Sequence, residues 1–276
     1  MGEKRWASQN GWAIEMEALF PVIVFITGLL MGSFFNVCIY RIPKKESIVF
    51  PASHCTVCNA KLNGPDLIPV LSYLCLRGRC RYCHAKISVR YPLIELLTGS
   101  VYLALAVRVG MGKTFVAYAV LCSLLIVAAA IDMEYQIIPD GLIRTGGIFG
   151  ILLSLAGWSV SWQNSLAGML LGGGFPLLVA FLFWKVRHKE GMGGGDGKLM
   201  GLVGLFLGWK QAALSILLSI YAGGLFGGIL LLLHKKKYSD AIPFAPFIAI
   251  GTFLSILYGR DLIRWYLQIF FGRYPG

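Results

Sequence analysis

The residues with the clearest chemical potential are two aspartates, Asp132 and Asp196, each beside a long apolar stretch. Asp196 lies in the run 191–197, which also holds five glycines, and Asp132 shares a stretch without basic residues with Glu134 and Asp140. Glycine lets a backbone approach closely and adopt unusual angles. An acid next to membrane-length apolar sequence is costly, and it therefore marks a functional candidate.

Two carboxylates at one membrane face can share a proton, because like charges at close range keep one acid protonated while the other is ionised. The ionised acid takes a proton from water and the protonated acid polarises a carbonyl, which is peptide hydrolysis of the aspartic-protease type. Such a pair titrates as a unit. The alternative interpretation is that Asp132 and Asp196 only cap helices at the interface. The sequence contains no H-E-x-x-H zinc-protease motif and no G-x-S-x-G nucleophile elbow.

Four of the seven cysteines form two C-x-x-C pairs, Cys55 with Cys58 and Cys80 with Cys83, with 21 residues between the pairs. This spacing predicts a closed, structural Cys₄ zinc site in a segment too small for a core of its own. A redox dithiol and an iron–sulfur cluster are the alternatives. The other cysteines are predicted to be ordinary thiols: Cys38, Cys75 and Cys122.

Composition identifies the elements that must position these residues. The chain is 57% hydrophobic and 14% charged, whereas a soluble domain carries roughly 25% charged residues. We therefore expect an all-α integral membrane protein with about eight transmembrane helices. The predicted spans are 18–40, 92–109, 114–131, two within 145–184, a short one at 199–209, 211–233 and 241–259.

The segment 41–91 differs from the spans, since it combines both cysteine pairs with nine Lys and Arg residues and only two acids. It is predicted to be a small extramembrane domain between helices 1 and 2, on the cytoplasmic side by the positive-inside rule. With the N-terminus outside, eight of the 25 Lys and Arg residues fall outside, and both aspartates face the cytoplasm. Topology accounts for the basic charge, so no nucleic-acid partner is expected.

Several stretches together resemble the bacterial type IV prepilin peptidases, which also serve type II secretion. The matching stretches are 32–41, 76–83, 87–99, Asp132 with Pro139-Asp140, and Gly193-Gly194-Gly195-Asp196. The resemblance covers about residues 32–246, which is most of the chain. It departs locally at Leu67, where the family more often has Asn, and at Tyr73, where it has Trp.

The resemblance implies the intramembrane aspartyl protease fold of the GxGD type, which is also associated with presenilin. It implies that the basic leader of prepilins and pseudopilins is cut at the cytoplasmic face, after a Gly and usually before a Phe. It further implies methylation of the new N-terminal amine by S-adenosylmethionine. The catalytic pair would be Asp132 and Asp196, with Asp140 a structural neighbour.

The resemblance does not identify the residues that bind the methyl donor, and no Rossmann G-x-G-x-x-G follows a strand to indicate them. Gly78 and Glu95 are the candidates for binding the methyl donor. The resulting domain division is a tail at 1–17, helix 1 at 18–40, a zinc-binding, methyltransferase-associated domain at 41–91 and a membrane peptidase domain at 92–276.

The expected location is the bacterial inner membrane, with prepilin and pseudopilin precursors and membrane lipid as partners. The oligomeric state is not indicated. Three alternatives remain: a peptidase without methylation, a transporter that uses its paired acids, and a cysteine domain that serves redox or docking.

Overall fold

The computed structural model describes residues 3–187, 193–233 and 242–271 and is helical throughout, apart from turns and loops. No strand occurs in these ranges, and only two isolated β-bridges are present, His54 with Lys61 and Arg79 with Lys86. The predicted all-α class is thus confirmed. The α-helices are α1 (Glu3–Arg41), α2 (Leu71–Cys75), α3 (Arg90–Val109), α4 (Lys113–Tyr135), α5 (Asp140–Leu155), α6 (Trp162–Arg187), α7 (Gly194–Leu232) and α8 (Ala245–Phe271).

Six of these helices contain a stretch long and apolar enough to cross a bilayer, so the chain is a multi-pass membrane protein. The stretches are Leu19–Arg41, Arg90–Val109, Lys113–Tyr135, Trp162–Val186, Gly194–Leu232 and Ala245–Phe270. Helix α5, with 16 residues, is shorter than the roughly 20 that one crossing needs.

Helix α7 is a pair of helices joined at a kink. Its 39 residues would measure about 58 Å as one straight rod, twice the apolar thickness of a bilayer. Gly208 interrupts it with φ of 74°, a conformation that glycine adopts without steric cost. The kink falls at the predicted division between the spans 199–209 and 211–233.

The chain forms two compact units, Met1–Gly110 and Met111–Gly276. In the first, α1 and α3 approach closely where glycines face the partner backbone. An added Cβ at Gly28 would lie 2.6 Å from Gly99 Cα, and one at Gly32 would lie 2.7 Å from Glu95 Cα. Small residues at such contacts are the usual basis of helix association in membranes.

The second unit is built around α7. Its first half packs on α6 so closely that an added Cβ at Gly204 would overlap the carbonyl group of Gly168. Its second half packs on α8 through a buried polar seam, in which the hydroxyl of Ser255 donates to the Gln211 carbonyl at 3.1 Å. Helix α7 thus packs on α6 before the kink and on α8 after it, and Asp196 lies in its first turn.

Some predicted boundaries differ from the structure. Helix α1 begins at Glu3, within the stretch predicted as a polar tail, and α8 continues to Phe271 instead of ending at 259. Parts of two predicted basic loops, residues 188–192 and 234–241, lie outside the described residues. The division into domains stays a prediction.

Candidate functional site

Asp132 lies in the last turn of α4. The helix ends because Gln136 adopts a left-handed conformation, with φ of 55°, and donates its N–H to the Asp132 carbonyl. The Asp132 side chain is only 6% exposed. Its Oδ2 accepts a hydrogen bond of 3.0 Å from the N–H of Ala245, the first residue of α8.

Asp196 lies in the first turn of α7, and its side chain is half-buried. The cap of this helix is Gly193, whose carbonyl accepts the Asp196 N–H at 3.0 Å and whose own N–H donates to the Asp196 carboxylate. The charge of Asp132 acts on the Asp196 carboxyl. Two acids that are 64 positions apart in sequence therefore lie within electrostatic range of each other.

Two contacts brace the chain segments that carry these acids. An added Cβ at Gly195 would lie 3.1 Å from the Ile138 Cβ, so α7 starts close to the loop after α4 and a side chain at this position would press on Ile138. Lys198 Nζ and Asp140 Oδ1 form an ion pair at 2.6 Å. Asp140 is thus exposed and paired with a cation, in contrast to buried Asp132.

The two acids differ in whether they cap a helix. Asp132 does accept a hydrogen bond from the first amide of α8, whereas the cap position of α7 belongs to Gly193 and not to Asp196. Capping alone therefore leaves the placement of the half-buried Asp196 carboxyl beside Asp132 without an explanation.

The four predicted metal ligands converge within the first unit. The sulfur atoms of Cys55, Cys58, Cys80 and Cys83 all lie within 4.8 Å of one another, and those of Cys55 and Cys83 are 3.9 Å apart. A tetrahedral ion with bonds of about 2.3 Å to sulfur separates its ligands by about 3.8 Å. The thiols therefore fit a single four-coordinate metal ion.

The two cysteine pairs are structural repeats of each other, 54–61 and 79–86. In each repeat the N–H of the first cysteine donates to the alanine carbonyl five residues on, at 3.0 and 2.9 Å. The residue after the second cysteine has positive φ in both, 57° and 56°. The shared C-x-x-C-x-A-K pattern was the sequence signal for this repeat, which sequence reasoning missed.

Electrostatics within the cluster also favours a cation. The backbone N–H groups of Cys58 and Val57 lower the pKa of the Cys55 thiol to about 6. The Ala85 N–H acts in the same direction on Cys83, but burial and the three neighbouring thiols outweigh it and raise the Cys83 pKa to about 11. Thiolates packed this closely repel one another unless a metal ion lies between them.

An ion pair ties the second repeat to the rest of the segment 41–91. Arg81 Nε lies 2.6 Å from Asp66 Oδ1, and the Asp66 side chain is only 3% exposed. The Arg81 guanidinium holds the pKa of the Asp66 carboxyl below its usual value. Nearby, the Asn63 side-chain amide donates to the Tyr82 hydroxyl at 2.9 Å.

Gly78, the first candidate for donor binding, packs against the end of α2. It has φ of 66°, donates its N–H to the Tyr73 carbonyl at 2.9 Å, and would bring an added Cβ to 2.8 Å from the Tyr73 hydroxyl. Tyr73, one of the two residues that depart from the family pattern, therefore forms the local surroundings of Gly78.

Glu95, the second candidate, is 6% exposed and lies in α3. Its Oε2 accepts a hydrogen bond of 2.7 Å from the N–H of Val70, and the Ser33 side chain also bonds to it. Val70 has φ of 61° and ψ of −49°, which is a strained conformation for a β-branched residue. Gly78 and Glu95 thus both contact α2 or its cap, a link that sequence reasoning did not reveal.

Comparison with known proteins gives a match on both compact units of the chain. Residues 26–109 match the family described as Bacterial Peptidase A24 N-terminal domain, and residues 119–228 match the Type IV leader peptidase family. No solved structure matches the chain.

Three relatives share the name "Prepilin leader peptidase/N-methyltransferase". The Aeromonas hydrophila protein is 35% identical, covering 91% of this chain and 95% of its own length. The Bacillus subtilis (strain 168) protein is 35% identical, covering 91% and 99%. The Myxococcus xanthus (strain DK1622) protein is 41% identical, covering 79% and 65%. With matching family segments on both compact units and relatives along nearly its whole length, this chain belongs to the type IV leader peptidase family.

Proposed function

We propose that this protein cleaves the basic leader from type IV prepilins and pseudopilins and then methylates the new N-terminal amine. One observation carries the proposal: the end of α4 and the start of α7 bring Asp132 and Asp196 together, in a chain whose relatives are named for these two activities. The pair belongs to the compact unit Met111–Gly276.

For cleavage, one aspartate is ionised and the other is protonated. The ionised acid takes a proton from water while the water oxygen bonds to the carbonyl carbon of the Gly before the cut, and the protonated acid gives its proton to the carbonyl oxygen. In the second half the amine nitrogen receives a proton, the C–N bond breaks and a proton returns to the second acid. Both carboxyls thus end in their starting states.

Location follows from charge and composition. We place the protein in the bacterial inner membrane, with the segment 41–91 and both aspartates on the cytoplasmic side, because most of the Lys and Arg residues fall in the loops on that side. The basic leader of a precursor lies on the same side. Membrane lipid surrounds the exposed apolar faces of the helices.

We assign zinc to the cluster of Cys55, Cys58, Cys80 and Cys83. All four ligands would come from cysteine, so such an ion would cross-link the segment 41–91 and leave no open position for catalysis. Thiolate ligands in tetrahedral geometry also suit an iron–sulfur centre. Zinc is favoured by the two-residue spacing of both pairs.

For methylation, we propose S-adenosylmethionine as the methyl donor and the compact unit Met1–Gly110 as the part of the chain that supports this reaction. When bound, S-adenosylmethionine would supply the methyl group to the nitrogen of the new N-terminus, and the amine would lose a proton to water. Gly78 and Glu95 shape the site through their contacts with Tyr73 and Val70.

Replacing Gly78 with Ala is expected to destabilise the segment 41–91 by about 1–2 kcal/mol, because an alanine is strained at positive φ. The added methyl group also displaces the Tyr73 hydroxyl. Methylation of a cleaved pilin should fall while leader cleavage stays at the wild-type rate. Intact mass measures both, and Gly64→Ala is the matched control, since an added Cβ there meets nothing within 4 Å. Equal effects of the two substitutions would contradict the prediction.

Replacing Glu95 with Ala is expected to lower methylation about 10-fold or more, because the part-buried Val70 N–H loses its acceptor at a cost of about 1–3 kcal/mol. Glu95→Gln keeps a carbonyl oxygen for that bond and should retain methylation within about threefold. The readout is the rate of methyl transfer to a pilin that has already been cleaved. A Gln variant as inactive as the Ala variant would show that the charge itself is required, as in direct binding of the donor.

The test of the whole function is incubation of the purified protein with a leader-bearing precursor, with and without methyl donor, read by intact mass. We expect loss of the leader in both samples and the gain of one methyl group only with donor. Cleavage without methylation would show that the protein is a peptidase and not a methyltransferase. If the protein did not cleave the precursor and instead took up ions in proteoliposomes in a way that depends on Asp132 and Asp196, it would be a transporter and not an enzyme.

A further inference from the structure

We infer that the backbone amide of Ala245 is a functional component of the cleavage site, and that it makes Asp132 the ionised member of the pair and Asp196 the protonated one. The inference rests on the proposed function and deepens it, since the family resemblance names two aspartates but does not divide the acid and base roles between them.

The contact itself joins two elements that are far apart in the chain. Ala245 N donates to Asp132 Oδ2 at 3.0 Å, and the bond is buried. The Phe244 N–H also bonds to the Asp132 carboxyl. Helix α8 begins here, since the Phe244 carbonyl accepts the N–H groups of Phe247 and Ile248 at 3.0 and 3.1 Å. The first amides of a helix have no acceptor within the helix and favour a negative charge in front of them.

The surroundings of the two acids are unequal. Ala245 is fully buried, so water does not compete with its bond to Asp132, and a hydrogen bond to a charge is strongest where water is excluded. The amide donor of Asp196 belongs to Gly193, which is exposed and begins a described stretch rich in glycine. The negative charge is therefore better stabilised on Asp132.

The other charged groups around Asp132 do not reverse this order. From α5, Asp140 is exposed to solvent and is paired with Lys198 of α7. The described start of α8, residues 242–248, has no titratable side chain. On α4 itself Glu134 is exposed to solvent. The charge of Asp132 itself acts on Asp196 of α7.

The division of roles follows. Asp132 Oδ2 is held by the start of α8, so Oδ1 takes the proton from the attacking water, and the Asp196 hydroxyl gives its proton to the substrate carbonyl oxygen. In the second half Asp132 returns its proton to the leaving amine nitrogen and Asp196 regains a proton from the tetrahedral intermediate.

Ala245→Pro tests the inference, because proline removes the N–H yet is well tolerated in the first turn of a helix. Without this donor Asp132 becomes ionised only at higher pH, so the acid limb of the pH profile of kcat/KM for leader cleavage should move up. We expect a shift of about one pH unit and about a tenfold lower kcat/KM on the acid side. Ala245→Gly keeps the N–H and should leave the limb within about 0.2 units of wild type.

The outcomes separate the possible roles of the contact. A lower rate with an unmoved acid limb would make Ala245 a structural cap only and would overturn the inference. A wild-type protein that does not cleave the precursor would count against the proposed function instead. If the proline variant does not fold, lactic acid introduced at position 245 by nonsense suppression replaces the N–H by an ester oxygen, and the same shift is required of it.

Discussion

Asp132→Asn and Asp196→Asn are each expected to lower kcat/KM for leader cleavage by about 1,000-fold, because either substitution removes the proton exchange on which both halves of the reaction depend. The side-chain volumes hardly change, so the helices should remain folded. The measurement is the rate of mass loss from a purified precursor, at several enzyme concentrations. The same variants should still methylate a pilin from which the leader has already been removed.

The control is Asp140→Asn, which lies on the same face of the second unit and breaks only the ion pair with Lys198. That pair is exposed, with more than half of each side chain accessible, and exposed pairs contribute about 0–1 kcal/mol. Cleavage within about fivefold of wild type is expected. A fully active Asp132→Asn or Asp196→Asn protein would refute the two-aspartate site, and an inactive Asp140→Asn would extend it.

Loss of the metal ion has the second large expected effect. Cys80→Ser should abolish stoichiometric zinc, unfold the segment 41–91 and stop methylation, while cleavage by the other compact unit continues. The reason is that a structural Cys₄ ion contributes about 10–16 kcal/mol to a small domain without a core of its own. Zinc content by mass spectrometry and hydrogen exchange across 41–91 measure the change.

Cys75→Ser is the matched control, since this exposed thiol lies only five positions away and outside the cluster. It should keep zinc, protection from exchange and both activities. If the purified protein contained iron and showed a visible absorption band, the cluster would hold an iron–sulfur centre and not zinc. A disulfide between cysteines of the cluster in the metal-free, active protein would favour the redox alternative.

The helices were predictable because the membrane demands long apolar stretches, and the sequence interrupts these with charge or glycine. The division of α7 illustrates this, since Gly208 and the short stretch before it are visible in the sequence. The cysteine cluster was predictable for a similar reason, because metal ligands need particular side chains at particular spacings. The start of α1 was not, because polar residues at a membrane edge are compatible with both a helix and a loose tail.

Contacts made by the backbone were beyond the reach of sequence reasoning. The Ala245 N–H is identical in chemistry to every other amide, and it meets a side chain 113 positions away. The strained turn at Val70 also has no signal in the sequence, because a β-branched residue is the last type that a pattern would place at positive φ. Glu95 could be singled out as a buried acid, but its partner could not.

The kink at Gly208 has a consequence for how the enzyme responds to its bilayer. The half of α7 before the kink, about 21 Å long, is enclosed by protein at every position from Leu199 to Gly208, whereas the half after it exposes Leu217, Ile220 and Leu225. Lipid therefore contacts the second half, whereas protein shields residues Leu199 to Gly208 of the first half from it. When the thickness of the membrane changes, we expect tilting about Gly208 to absorb the mismatch, so that lipid acts less on the half of α7 that carries Asp196.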